Sequence, residues 1–337
     1  MLEYIEHLSN LCGASGDEGR VREYIASVVK PYVDELYTDV SGSLIAVKHG
    51  GKRRIMLDAH MDEVGMVISE YRGDGTLNYI THLGVDPRVA LGKRVAVGPG
   101  GIPGVIRLKH ENRFPGAGEY LGHEKLCIDI GASSREEAEK LVSLGDYACF
   151  KTTWKRLGEN LMAGKAFDDR IGCAILMELI KNDYPCDLYA VFSVQEETGL
   201  FGATAAVQHI KPDAGLAFEG PASNDMDIAS TGVQCVCAVG KGPVVTYMDY
   251  FTIVNEKLFR LITETAEENH IPYQLRNGTK GGTNAYPMQT CFSGSFTGVL
   301  SVPSRYIHSP CAIECIDDYI NTYRLADALL RKALYAE

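Results

Sequence analysis

Apolar stretches long enough to cross a bilayer are missing from this chain of 337 residues. None approaches the roughly 20 consecutive apolar residues that a membrane helix needs. The opening segment, MLEYIEHLSNLCG, lacks the basic n-region and apolar core of a secretory leader. It reads instead as an amphipathic helix, and the expected location is the cytoplasm. Positive charge is scarce, with 33 Lys and Arg against 44 Asp and Glu and a formal net charge of -11. A nucleic-acid partner would want a basic face, so none is expected, and neither is a membrane.

Cysteine pairs with metal-binding spacing are absent as well. Among ten cysteines there is no C-x-x-C; Cys235-x-Cys237 and Cys311-x-x-x-Cys315 come nearest. These residues read as reduced, buried thiols rather than a disulfide framework. Gly98-Pro99-Gly100-Gly101 and Gly281-Gly282-Thr283 lack the lysine and spacing of a phosphate-binding loop. Neither glycine of a G-x-S-x-G nucleophile elbow is in place around Ser293-Gly294-Ser295. Internal repeats and low-complexity segments are also lacking.

What is present has ordinary globular composition, 45% hydrophobic and 23% charged, and a length that suggests about two domains. Residues 1–30 look helical, with Asp17 and Glu18 favouring a helix start after Gly16. Strands are expected at Ser43–Val47 and Arg54–Leu57, the second running into Asp58-Ala59-His60. From Val67 to about Lys155 short β-type runs (Arg94–Val97, Gly104–Leu108, Leu126–Ile130, Ala148–Phe150) alternate with Gly- and Pro-rich turns. Only Ser134–Leu144 looks helical there, so a small β-rich unit, barrel-like, is expected.

An α/β rhythm returns after Gly158. A helix to Lys181 follows the loop Gly164–Arg170, and Leu188–Val194 is apolar almost throughout, as in a strand buried on both faces. Helix Phe201–His209, strand Ala214–Phe218, helix Thr252–His270, strand Phe292–Ser301 and helix Ile316–Ala336 complete the reading. The simplest architecture is an α/β domain built from the first and last thirds, with the β-rich unit inserted.

Seven residues carry the chemistry: His60, Asp62, Asp168, Glu196, Glu197, Glu219 and His308. Each sits where an apolar run ends or in a short polar loop. In open α/β sheets ligands gather beyond the carboxyl ends of strands, where His60, the Glu pair and Glu219 fall. Mixed imidazoles and carboxylates suit zinc, cobalt or manganese, and seven such residues would serve two ions.

In His60-Met61-Asp62 the two polar side chains share a face of an extended segment. Asp62 could then accept the second ring N–H of a ligating imidazole. Asp168-Asp169 lies between a loop and a helix, where the bland role is N-capping. Two adjacent acids after a buried strand are costly without a cation; beside one, Glu196 or Glu197 could ligate and its neighbour act as base. Glu219 has a solvated strand end as its ordinary reading, and His308 a structural role. The remaining histidines have no supporting constellation, and His82, His110 and His123 are expected at the surface of the insertion.

Taken together, LDAHMDEVG (57–65), IDIGASSREEAEKLVSLGD (128–146), GKAFDDRIG (164–172), VQEETGLFGA (194–203) and PSRYIHSP (303–310) resemble one family along almost the whole chain. It is the dinuclear aminopeptidase family numbered forty-two among metallopeptidases, with glutamyl, deblocking and tetrahedral members. The resemblance implies an α/β/α zinc-exopeptidase-like catalytic domain at 1–66 and 158–337. It also implies an inserted β-rich oligomerisation domain at 67–157, with dimers assembled into dodecamers.

Two divalent ions per subunit are implied, zinc first, cobalt or manganese otherwise. Asp168 would bridge them, His60 and Glu219 would complete one site, and Glu197 and His308 the other. Glu196 would be the general base and Asp62 the support of His60. A cis Asp168–Asp169 peptide is implied too. Two departures stand out. Glu219 occupies a position where many relatives have Asp, with Asp225 and Asp227 as reserves. The segment read G-G-T-D-A in the family carries Asn284 here.

The expected reaction is release of the N-terminal amino acid from short peptides. Two ions about 3.5–4 Å apart would lower the pKa of a shared water from about 15.7 toward about 7. Glu196 would take its proton and pass it to the leaving amine. Rival readings are an amidohydrolase or deacylase with the same metals, a metal-free endoglucanase-type glycosidase using a carboxylate pair, and a non-catalytic assembly protein.

Overall fold

In the computed structural model, which describes residues 1–81, 84–112, 116, 118–226 and 235–334, two helices come first, α1 (Leu2–Asn10) and α2 (Gly19–Val29). Ile5, Leu8, Val21, Ile25 and Val29 recur at helical spacing and are buried. Three strands follow, β1 (Glu35–Thr38), β2 (Leu44–Lys48) and β3 (Arg54–His60). From Ile55 to His60 every residue of β3 is buried, as in a strand covered on both faces.

Next comes a closed six-stranded barrel of β4 (Met66–Tyr71), β5 (Leu77–Thr81), β6 (Arg94–Val97), β7 (Ile102–Leu108), β8 (Leu126–Asp129) and β9 (Tyr147–Phe150), ordered β4-β5-β8-β7-β6-β9. Closure removes exposed strand edges. Met66, Ile68, Leu77, Val95, Val97, Ile106, Ile128 and Phe150 alternate along these strands and make its core. The short helices α3 (Pro87–Ala90) and α4 (Arg135–Leu141) start on the side-chain caps Asp86 and Ser134.

The rest of the chain runs β10 (Lys155–Leu157), β11 (Leu161–Gly164), α5 (Phe167–Leu179), β12 (Asp187–Ser193), α6 (Phe201–Ile210), β13 (Ala214–Glu219), β14 (Ala222–Ser223), β15 (Val244–Thr246), α7 (Glu256–Glu268), β16 (Gln274–Leu275), α8 (Ala285–Thr290), β17 (Phe296–Ser301), β18 (Ser304–Arg305), β19 (Ala312–Cys315) and α9 (Ile316–Arg331). An eight-stranded sheet has the order β1-β2-β12-β3-β13-β17-β15-β16. Its middle strands β12, β3, β13 and β17 are parallel.

Side chains alternate across this sheet. Ile55, Leu57, Phe192 and Leu216 join residues of α1, α2, α5, α7 and α9 in one core. Met56, Val191, Ala217 and Val299 join residues of α6 and α8 in another. The result is an α/β/α layered unit accompanied by the barrel. The next two strands of the sheet, β12 and β13, lie on opposite sides of β3. That is a topological switch point, where open α/β sheets bind ligands. A smaller sheet, β10-β11-β19-β18-β14, brings the segment before α5 close to the one before α9.

Several expectations need correction. Helix α7 starts at Glu256 rather than Thr252, because Asn255 caps it by accepting from Lys257 N, while Ile253 bridges Met248 in extended form. The strand expected from Phe292 starts at Phe296, and α8, not foreseen, precedes it. Helix α9 ends at Arg331; the expected terminus at Ala336 lies outside the described residues, as does His82. Cys311 is exposed and Cys12 and Cys235 partly so, unlike the seven buried cysteines. His123 is no free surface residue, since its ring meets Tyr79 Oη and Val85 O, each at 2.9 Å. No helix among the described residues is long and apolar enough to cross a membrane.

Candidate active site

Three strand ends and two loops converge beside the switch point. His60 ends β3 and Glu219 ends β13. Glu196 and Glu197 follow β12, Asp168 opens α5, and His308 lies between β18 and β19. Ala166, Gln195 and His308 all have a φ of 54°, a left-handed conformation uncommon for non-glycine residues and concentrated at functional sites. The Asp168–Asp169 peptide is cis.

Two triplets form, His60 with Asp168 and Glu219, and Asp168 with Glu197 and His308; within each, donor atoms all lie within 4.8 Å of one another. Asp168 belongs to both. Its Oδ1 is 3.4 Å from His60 Nε2 and its Oδ2 is 3.5 Å from His308 Nε2. Glu197 Oε2 stands 3.2 Å from His308 Nε2. Glu196 belongs to neither triplet, yet its Oε2 is 4.0 Å from His60 Nε2.

The neighbours explain these positions. Gly220 N donates to Asp168 Oδ1 at 3.1 Å. Capping falls to the next acid, Asp169, whose Oδ1 accepts from Gly172 N at 3.0 Å. Arg170 is fully buried and donates to Met61 O, Leu8 O and Gly13 O, tying α5 to the end of β3. Asp62 does more than support His60, whose Nδ1 is 3.4 Å from Asp62 Oδ1 and 3.2 Å from the Asp62 carbonyl oxygen. Its carboxylate also accepts from Glu196 N (3.0 Å), Glu197 N (3.2 Å) and Ser15 Oγ (2.6 Å). One buried side chain therefore orients both a histidine and the backbone of the glutamate pair.

Charge in this space is unbalanced. Burial resists ionisation of Asp168, but His308 and His60 outweigh it and hold the carboxyl well below its usual range. Burial would lower His308, yet Asp168 and Glu197 raise it to about 10. Burial pushes Glu196 up to about 8, with His60 drawing it back and Glu197 adding to the rise. Burial and then the charge of Glu196 lift Glu219 well above the carboxylate range. Carboxyl groups outnumber imidazoles, burial and mutual repulsion resist the ionisation of Glu196 and Glu219, and a divalent cation would favour their charged forms. The donor set of imidazole nitrogens and carboxylate oxygens fits such an ion.

Sequence reasoning missed several contributors. Asp58 and Ser193 form a buried polar cluster beside the first triplet with Asn284, which the sequence marked only as a departure from the family segment. The available signal was Asp58 itself, an acid on the same face of β3 as His60. Glu63 and Lys165 form a buried ion pair at 2.5 Å just outside the site. The reserve ligand Asp225 is not brought to the triplets; Arg305 holds it in a two-pronged pair, both contacts at 2.7 Å. Asp227 lies outside the described residues.

Two donor triplets sharing one carboxylate at a topological switch point make a candidate metal centre. The chain belongs to the M42 glutamyl aminopeptidase family, whose family model matches residues 42–325. It is 36% identical over 96% of its length to a putative aminopeptidase of Acetivibrio thermocellus, covering 97% of that protein. It is 32% identical over 95% of its length to the lysyl aminopeptidase of Pyrococcus furiosus, covering 94% of that protein. Among solved structures it resembles the Pyrococcus horikoshii TET1 peptidase, described as able to assemble into a tetrahedron or a large octahedral shell. That match has a TM-score of 0.87 and 32% identity, covering 98% of each chain. The chain is accordingly a metal-dependent aminopeptidase, a hydrolase acting on peptide bonds.

Proposed function

We propose that this aminopeptidase releases the N-terminal residue of short peptides at the paired triplets, with Glu196 as general base. The observation that carries the reading is the sharing of Asp168 between two donor sets, with Glu196 alongside but outside both. His60, Asp168 and Glu219 would hold one divalent ion, and Asp168, Glu197 and His308 a second. Zinc is the first choice, with cobalt or manganese as alternatives. When bound, such ions polarise a carbonyl and lower the pKa of water.

The chain's own groups do the rest. Asp62 holds the backbone at Glu196 and Glu197, which fixes where the base points. Glu196 takes a proton from the attacking water and returns it to the leaving amine. Binding of a free α-amine beside an ion or an acidic group would account for release from the N-terminus, and an acylated terminus lacks that free amine. Glu196→Gln should keep its metal and lose at least about a hundredfold in kcat; full activity would contradict the assignment.

Residues 1–66 and 158–337 are proposed as the catalytic domain, with 67–157 as an inserted oligomerisation domain. The assembly described for the TET1 peptidase supports self-association. The absence of any disulfide among ten cysteines agrees with a reducing, cytoplasmic location.

A further inference from the structure

Asn284 is 1% exposed and sits immediately before α8. Its backbone N–H donates to Glu219 Oε1 at 3.1 Å. Its side-chain Nδ2 donates twice more, to Asp58 Oδ1 at 2.7 Å and to Ser193 Oγ at 3.0 Å. Ser193 Oγ closes the triangle by donating to Asp58 Oδ1 at 2.9 Å. The three buried side chains come from β3, β12 and the segment before α8. Ser193 lies opposite His60 in the strand register, and Asp58 is two residues from His60 on one face of β3. The triangle therefore underlies the triplet of His60, Asp168 and Glu219. Thr283 Oγ1 fastens the same segment from the other side by donating to Asp249 Oδ2 at 2.8 Å.

We propose that Asn284 is a positioning residue for Glu219, and that Asp58 and Ser193 lock it through its side-chain amide. The proposal rests on Glu219 being a metal ligand. The backbone N–H fixes the rotation of the Glu219 carboxylate only while the segment is held still. Both holding bonds come from one NH2 group, and Asn284 Oδ1 has no hydrogen-bond partner among the described residues. A carboxylate at position 284 would lose both donors and face the Asp58 carboxyl group where both side chains are buried. Asparagine at 284 and aspartate at 58 are thus a matched pair, and exchanging the two restores an amide opposite an acid.

The test measures the zinc dissociation constant of the full-length protein by competition with a chromophoric chelator, alongside the melting temperature of the metal-free form. Asn284→Asp should weaken zinc binding about tenfold to a hundredfold, the usual effect of disturbing a group that orients a ligand. The exchange variant Asp58→Asn with Asn284→Asp should recover most of that loss. Asn284→Ala, which adds no charge, serves as the second variant and should also weaken binding. Unchanged affinity in Asn284→Asp, or an exchange variant that binds no better than it, overturns the proposal. A change confined to the metal-free melting temperature does so as well. Glu219→Ala separates the two readings. If it leaves affinity unchanged, the assignment of Glu219 as a ligand fails; if it weakens zinc while Asn284→Asp does not, only the positioning role fails.

Discussion

Gly84 lies directly against the imidazole of His308. A Cβ at Gly84, whose φ is 112°, would stand 2.6 Å from Nδ1 and 3.2 Å from Cε1 of that ring. Gly84, shortly before α3, thus sits at the edge of the site, and only glycine satisfies both the backbone and the contact. Gly84→Ala should displace His308 and lower kcat/KM by up to roughly a hundredfold, the size of effect that a shift of about 1 Å produces. Steady-state kinetics checks it, with circular dichroism to confirm the fold; unaltered kinetics would show that the ring has room to move.

Glu63 and Lys165 are both buried, with Nζ 2.5 Å from Oε1. Glu63 also accepts from Gly13 N, and Lys165 donates to Leu11 O at 2.6 Å. Glu63→Gln keeps the shape but leaves the ammonium without its counter-charge. The expected loss is about 3–5 kcal/mol of stability, as when one partner of a buried pair is removed. Urea unfolding of the metal-free protein reads it, and an unchanged midpoint would mean that the pair is dispensable.

Cys12 should be the most reactive thiol near neutral pH. A hydrogen bond from Cys149 stabilises its thiolate, burial opposes that, and Lys165 assists, leaving Cys12 at about 6. Its charged form therefore dominates above that pH. Exposed Cys311 has its thiol pushed up by partial burial. Iodoacetamide labelling followed by mass spectrometry should mark Cys12 ahead of Cys311 at pH 7, with a rate that levels off above that pH. Labelling of Cys12 that climbs steadily to pH 9 would refute the lowered value.

The candidate site was legible because most of its acids and one of its histidines end apolar runs, where a polar group is conspicuous. His60, Glu196, Glu197 and Glu219 all stand at or just past the ends of strands that could be recognised from continuous apolar texture. Less legible were the left-handed turns at Ala166, Gln195 and His308, since none of these residues signals a positive φ. Asn284 was read only as a departure from the G-G-T-D-A segment of the family. Its actual role is set by Asp58 and Ser193, which are 226 and 91 residues away in sequence.

In the fold, amphipathic spacing ran α7 back to Thr252, because apolar residues of the extended segment happened to fall in helical phase. The Asn255 cap was the stronger signal. The short helix α8 has too few turns to show a period. Asp62 was read through its neighbour His60, two residues away. Its larger job, clamping the backbone at Glu196 and Glu197, depends on a contact spanning 134 and 135 residues, which local pattern does not reveal.

The most direct measurement is a panel of aminoacyl anilides assayed on metal-depleted protein before and after refilling with zinc, cobalt or manganese, with acyl-amino acids as the comparison. The account predicts no turnover without metal, restored cleavage of at least one free-amine anilide, and none of the acylated compounds. Silence across the whole panel with every metal, undiminished activity after chelation, or preference for the acylated substrates would contradict it.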